Sequence, residues 1–146
     1  DKTNLDDMSS YDFFETMKTT VLTQRSLNRD QESFTPLRAL EMATRDGAKA
    51  LKLFDQIGSL EVNKRADLLV IDGNSPEMQP PAGLISQVVM AAKAKCVKHV
   101  AMDGKWHLFD YKHQSMNPEE VFASAREVQK RLLESAGIYY GVRGAR

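Results

Sequence analysis

The sequence predicts an α/β chain. Three observations carry that prediction: apolar residues recur at helical spacing in three stretches, one short run bounded by charges is rich in Leu, Val and Ile, and an Asp-Gly pair separates two strand-like segments. The chain has 146 residues, of which 42% are hydrophobic, and so offers about one domain's worth of core.

The elements follow in order. Asp1 to Ser9 is rich in Asp, Asn, Ser and Thr and reads as a loop. From Tyr11 the positions Phe13, Phe14, Met17, Val21 and Leu22 form a stripe that predicts a helix to about Arg25, capped by Ser10. Ser26 to Ser33 is polar loop. Thr35-Pro36 opens the next helix, because Thr caps and Pro at the first helical position gives up only an unpartnered amide hydrogen. Leu37, Leu40, Met42 and Ala43 are its expected buried face, and Asp46-Gly47 is expected to break the helix into two short pieces at an angle. Arg65 to Asp72 reads as a strand buried on both faces. Pro76, Pro80, Pro81 and Gly83 make an irregular connection to a second expected strand, Leu84 to Met90. Val97–Met102 and Trp106–Phe109 flank Asp103-Gly104, which suits a two-residue hairpin turn because both positions tolerate positive φ. Asn117-Pro118-Glu119-Glu120 starts a last helix with a cap, a proline and two acids at the positive end of the dipole. Its stripe is Val121, Phe122, Ala125, Val128, Leu132 and Leu133, with Gly137 as the stop; Tyr139 to Arg146 is expected to be loose.

Charge and cysteine content exclude whole classes. Twenty basic and twenty acidic residues sum to zero, so no global positive field favours nucleic acid or anionic lipid. No apolar run reaches the roughly 20 residues that span a bilayer, and Asp1-Lys2-Thr3-Asn4 lacks the apolar core of a signal peptide; the expected location is cytoplasmic. The single cysteine, Cys96, fits a reducing compartment and reads as a small buried hydrophobe rather than a metal ligand paired with His99. The chain opens on an acidic residue with no initiator Met, which leads to the expectation that it is a piece of something longer.

Motifs for chemistry are sparse. His99, His107 and His113 surround the hairpin, with His99 and His107 as candidate cross-strand neighbours, but a three-histidine metal site is the minor reading. Ser9 and Ser10 have no identifiable base, and there is no G-x-S-x-G, G-x-G-x-x-G or Walker loop. Lys93, Lys95 and Lys98 alternate with apolar residues and read as a solvated face. Asp1, Asp6, Asp7 and Asp12 lack the glycine and terminal Glu of a calcium loop; an Asp at a strand end can still ligate a metal or accept a proton.

Four segments taken together carry a resemblance. Pro36 to Leu51, PLRALEMATRDGAKAL, is followed by Ile57-Gly58-Ser59-Leu60-Glu61 and then Lys64 to Asp72, KRADLLVID; Val97 to Lys105, VKHVAMDGK, comes later. In order and spacing they resemble the carboxyl-terminal region of the amidohydrolase superfamily, in its cytosine, guanine and S-adenosylhomocysteine deaminase and triazine chlorohydrolase branch. The resemblance covers about residues 1 to 135. It implies a metal-dependent (β/α)8 barrel with a composite β-sandwich. Residues 1–54 would be the end of the barrel, 55–116 part of the sandwich, and 117–146 a C-terminal helix and tail. A whole barrel takes roughly 250 residues, more than this chain has.

The resemblance also implies zinc or iron in the intact enzyme, held by histidine motifs that this chain lacks and by an Asp at the end of the eighth strand. Asp1 precedes Asp12-Phe13-Phe14-Glu15-Thr16-Met17-Lys18 much as that Asp precedes the family's helix, with a loop about two residues longer. In that place Asp1 would bind the metal and take a proton from the metal-activated water; otherwise it is an ordinary loop Asp. Val62-Asn63 stands where the family has Pro-Gly, and Asn best replaces Gly at positive φ. Asp67 is expected to be structural, bonding turn amides at the strand's start. The implied reaction is hydrolytic deamination, or loss of another leaving group, at a heterocycle such as a purine, pyrimidine or triazine. The expected partners are the remainder of the barrel and sandwich, the small heterocyclic substrate and a further copy in a homo-oligomer, and the isolated chain should be inactive. The alternative is a non-catalytic interaction or oligomerisation module.

Overall fold

The computed structural model describes residues 11–81 and 83–137. The chain divides into two units, residues 1–112 and 113–146. The first holds helices α1 (Phe13–Asn28), α2 (Pro36–Glu41), α3 (Gly47–Ala50) and α4 (Leu84–Met90), and strands β1 (Leu68–Ile71), β2 (Val97–Met102) and β3 (Lys105–Phe109). Strand β4 (Lys112–His113) straddles the boundary, and helix α5 (Pro118–Ser135) lies in the second unit. Helices and sheet in one chain agree with the α/β expectation.

Helix α1 starts two residues later than predicted and runs three further. Its cap is Asp12, whose Oδ1 accepts from the Phe14 N–H at 3.0 Å; Ser10 falls outside the described residues. An aspartate at this position satisfies an orphan amide and suits the positive helix end. Phe14, Met17 and Val21, at spacings of three and four, face inward and are buried.

From Thr35, whose Oγ1 accepts from the Arg38 N–H at 3.2 Å, the chain runs helically to Ala50. The expected break at Asp46-Gly47 is absent. Gly47 has helical angles (φ −57°, ψ −46°), and the irregularity is a π-helical segment, Met42–Asp46, that widens the coil without ending it. The predicted buried face is also rotated. Ala39 is the buried position against α1, Leu40 and Ala43 pack partly against the core, and Leu37 and Met42 are exposed. Gly58 closes onto this helix: its φ is +93°, and a Cβ there would meet the Ala48 Cβ at 2.6 Å, so only glycine fits.

Two strand expectations are corrected. Only Leu68–Ile71 of the 65–72 run is strand, and Leu69 and Val70 are exposed. The reason is topological: among the described strands the order is β1-β2-β3-β4, so β1 is an edge strand, antiparallel to β2 with a register shift at Val70/Ile71. Leu84–Met90 is helix α4, not a strand. Gly83 precedes it, and Val89 is fully buried against α1 and α2 with Val88 and Met90 beside it, so tertiary burial overrides β-branched propensity. Phe14, Met17, Val21, Ala39, Met78, Val89, Ala92 and Val97 form one core shared by helices and sheet.

The hairpin and the last helix match the reading of the sequence. Asp103 and Gly104 have φ +50° and +74° between β2 and β3. In the second unit, Asn117 Oδ1 accepts from the Glu119 N–H at 3.1 Å to cap α5, and Gly137 follows it at φ +67°. Asn63 takes φ +73°, as expected for a glycine substitute. Among the described residues no helix is long and apolar enough to cross a membrane.

Candidate functional site

Of the acidic residues near the amino terminus, Asp1, Asp6 and Asp7 lie outside the described residues; Asp12 is described and does structural work. Besides capping α1, its Oδ2 accepts from the Ala94 N–H at 3.0 Å, tying the helix start to the segment that enters β2. Beside it a cleft of about 370 Å³ is lined by Asp12, Glu15, Lys18 and Lys93 with Phe14, Leu22 and Met90. A smaller, apolar cleft of about 170 Å³ separates α1 from α2, with Phe13, Met17 and Met42 on its walls.

Among the described residues no group of three His, Cys, Asp or Glu side chains could hold a metal ion. The histidines are not brought together. His99 and His107 miss each other because Val100 pairs with Leu108 and Ala101 with Trp106, which leaves His107 at the register shift. The His99 ring lies instead 4.6 Å from Phe109 and 5.6 Å from Trp106, and its Nδ1 accepts from the Asp110 N–H at 3.1 Å. His113 is exposed in β4. Cys96 is fully buried, as read from the sequence, with its thiol donating to Glu77 Oε2 at 3.7 Å. Two of the three lysines pair with acids: Lys95 with Glu77, whose carboxyl that contact holds below its ordinary range, and Lys98 with Asp110 at 3.5 Å.

The described polar side chains are arranged for holding turns. Lys64 is largely covered: its Nζ sits 3.8 Å above the Phe54 ring and donates to Ser59 Oγ at 2.7 Å. Ser59 in turn donates to Glu61, and this hydroxyl together with Lys64 holds the Glu61 carboxyl below its ordinary value. Asp67 accepts from the Asp103 N–H at 2.7 Å. It is therefore structural, but the amide it bonds belongs to the β2–β3 turn rather than to its own strand's start.

Asp72, at the other end of β1, accepts from the Tyr111 hydroxyl at 2.6 Å and from the Asn74 N–H at 2.9 Å. Both donors favour the charged form and hold the Asp72 carboxyl below its ordinary value, while the same bond pushes the Tyr111 phenol up to about 12. Sequence reasoning missed this pair. Asp110-Tyr111 has no glycine, so nothing local marks the second turn; the charge ending the KRADLLVID run was the available signal.

The comparisons with known proteins identify the fold these turns support. The profile of the Amidohydrolase family matches residues 4–107. The 5-methylthioadenosine/S-adenosylhomocysteine deaminase of Shouchella clausii (strain KSM-K16) is 33% identical over 124 residues, 85% of this chain and 28% of that protein. The S-triazine hydrolase of Gordonia rubripertincta is 33% identical over 126 residues, 84% of this chain and 26% of that protein. Among solved structures, an adenosine deaminase from Xanthomonas campestris with bound zinc superposes with a TM-score of 0.78 at 32% identity, covering 81% of this chain and 27% of that one. The chain thus spans between a quarter and a third of the length of these relatives. With its family profile matched over most of its length, this chain belongs to the amidohydrolase family.

Proposed function

We propose that the chain is the carboxyl-terminal part of a metal-dependent amidohydrolase that acts on non-peptide carbon–nitrogen bonds, by hydrolytic deamination of a heterocycle such as a purine, pyrimidine or triazine. The observation that carries this reading is the alignment of 85% of this chain with only 28% of a protein named as a deaminase. In this reading residues 1–54, with α1, α2 and α3, are the last helices around a (β/α)8 barrel. Residues 55–116 are part of a composite sandwich, and 117–146 are the C-terminal helix and tail.

The described residues supply no three ligands for a metal, so no reaction step is assigned to them. Zinc or iron would be held by side chains outside this chain, with Asp1 as the one ligand contributed from within it. The chain's described part contributes scaffold: capped helices and a sheet whose turns are fixed by aspartates. The remaining barrel and sandwich, the heterocyclic substrate and a cytoplasmic homo-oligomer complete the proposal.

The test compares the 146-residue chain with a longer protein carrying it, measuring ammonia release from adenosine-type nucleosides and an aminotriazine alongside zinc and iron content. The longer protein is expected to bind metal and release ammonia, and the chain alone to do neither. Asp1→Asn in the longer protein should slow ammonia release at least about a hundredfold with folding retained. A folded, metal-free and inert longer protein would overturn the reading in favour of an interaction module.

A further inference from the structure

We propose that His99 is a proton-operated latch on the Asp110–Tyr111 turn. Asp110 and Tyr111 sit at φ +48° and +63°, a region that an aspartate tolerates and that a tyrosine rarely adopts. Three bonds in addition to the strand ladder hold them: the Asp110 N–H donates to His99 Nδ1 at 3.1 Å, the Tyr111 N–H to the Lys98 carbonyl at 3.1 Å, and the Tyr111 hydroxyl to Asp72 at 2.6 Å.

The first of these depends on a proton. An imidazole nitrogen accepts a hydrogen bond only while it carries no hydrogen, so the geometry assigns His99 the neutral form with its proton on Nε2. Protonating Nδ1 sets an N–H against the Asp110 N–H, and the bond is lost. The ring cannot turn away freely, because Phe109 and Trp106 flank it at 4.6 and 5.6 Å. Its register partner on β1, Val70, is uncharged. The titratable groups on the surrounding elements are Lys98 on its own strand, Lys105 and His107 on β3, Asp110 and Tyr111 in the turn, Lys112 and His113 on β4 and Asp72 after β1. Lys98 and Asp110 pair with each other, and Asp72 is engaged by Tyr111. The latch is closed while His99 is neutral and opens when its Nδ1 takes a proton. Opening releases the Asp110 amide, while the two bonds made by Tyr111 stay in place.

Long-range nitrogen–proton spectra of the 146-residue chain and amide exchange at Asp110, corrected for the intrinsic rate, test this between pH 8 and 5. The expected results are the Nε2–H tautomer for His99 at pH 8 and at least tenfold loss of Asp110 protection that follows the titration of His99. His99→Asn places a carbonyl oxygen that does not titrate near the Nδ1 position and should make the protection independent of pH. His99→Phe keeps a ring without an acceptor and should leave Asp110 unprotected throughout. The proposal is overturned by an Nδ1–H tautomer at pH 8. Asp110 protection that is unchanged through the titration, whether or not its carboxylate takes up the new proton, or that follows His107 or His113 instead, overturns it equally. Tautomer and exchange in the unaltered chain decide the matter even if a variant fails to fold.

Discussion

The turn at Asp103-Gly104 and the turn at Asp110-Tyr111 both place two successive residues at positive φ, +50° and +74° in the first, +48° and +63° in the second. They reach that geometry by different means. The first contains a glycine with open space around it, and no atom lies within 4 Å of where a Cβ would stand. Its backbone preference is written in two adjacent residues. The second contains no glycine and is held from outside, by Asp72, Lys98 and His99. Both turns are bonded from outside, the first by Asp67 and the Ala66 carbonyl, but only the first carries a glycine that adopts the left-handed geometry at no cost.

Substitutions can break or sharpen this contrast. The largest effect is expected for Gly104→Val, because a β-branched residue at φ +74° carries the full left-handed penalty, about 2 kcal/mol by urea unfolding, although nothing would clash with it. Equal stability of the variant would show that the bonds from Asp67 and the Ala66 carbonyl, rather than the glycine, hold the first turn.

Tyr111→Phe removes only the hydroxyl and should lower Tm by less, with a pH signature. Asp72 has its carboxyl pK lowered in the folded state, so the bond's contribution is present above the unfolded carboxylate value of about 4 and lost as pH falls through the folded one. Tyr111 has its phenol raised, so the contribution is present below the unfolded value of about 10 and lost as pH rises toward about 12. The Tm deficit of the Phe variant should therefore be greatest between about pH 4 and 10 and shrink at both ends. A deficit that stays the same below about pH 4 and above about pH 10 would contradict the assignment.

The smallest effect is expected for Asp67→Asn, under about 0.5 kcal/mol in the same unfolding assay, since an amide oxygen can still accept from the Asp103 N–H.

The same contrast explains what could be read from the sequence. The β2–β3 hairpin, the Thr35-Pro36 and Asn117-Pro118 helix starts and the left-handed Asn63 were legible because a cap, a proline or a turn residue acts within a few positions. Leu84–Met90 was not. Its Ile and Val residues favour strand locally, and burial of Val89 among α1 and α2 goes with the helix instead. Asp46-Gly47 predicts a break because such a pair usually ends a helix, whereas the chain takes a π-helical segment at Met42–Asp46 and stays helical through Gly47. The candidate site was legible only as resemblance: Asp1 lies outside the described residues, and the described side chains assemble no metal cluster.

Asp67 and Asp72 have one more consequence. They stand just outside the two ends of β1, and each reaches a different hairpin turn, 36 and 39 residues further along the chain. An edge strand of four residues with exposed Leu69 and Val70 has little in its own apolar pattern to fix its alignment, and a slip of two residues would keep the same faces in contact. The two carboxylates remove that freedom, because no slipped pairing can satisfy both turns at once. They act as alignment pins that hold β1 in a single register against the β2–β3 hairpin.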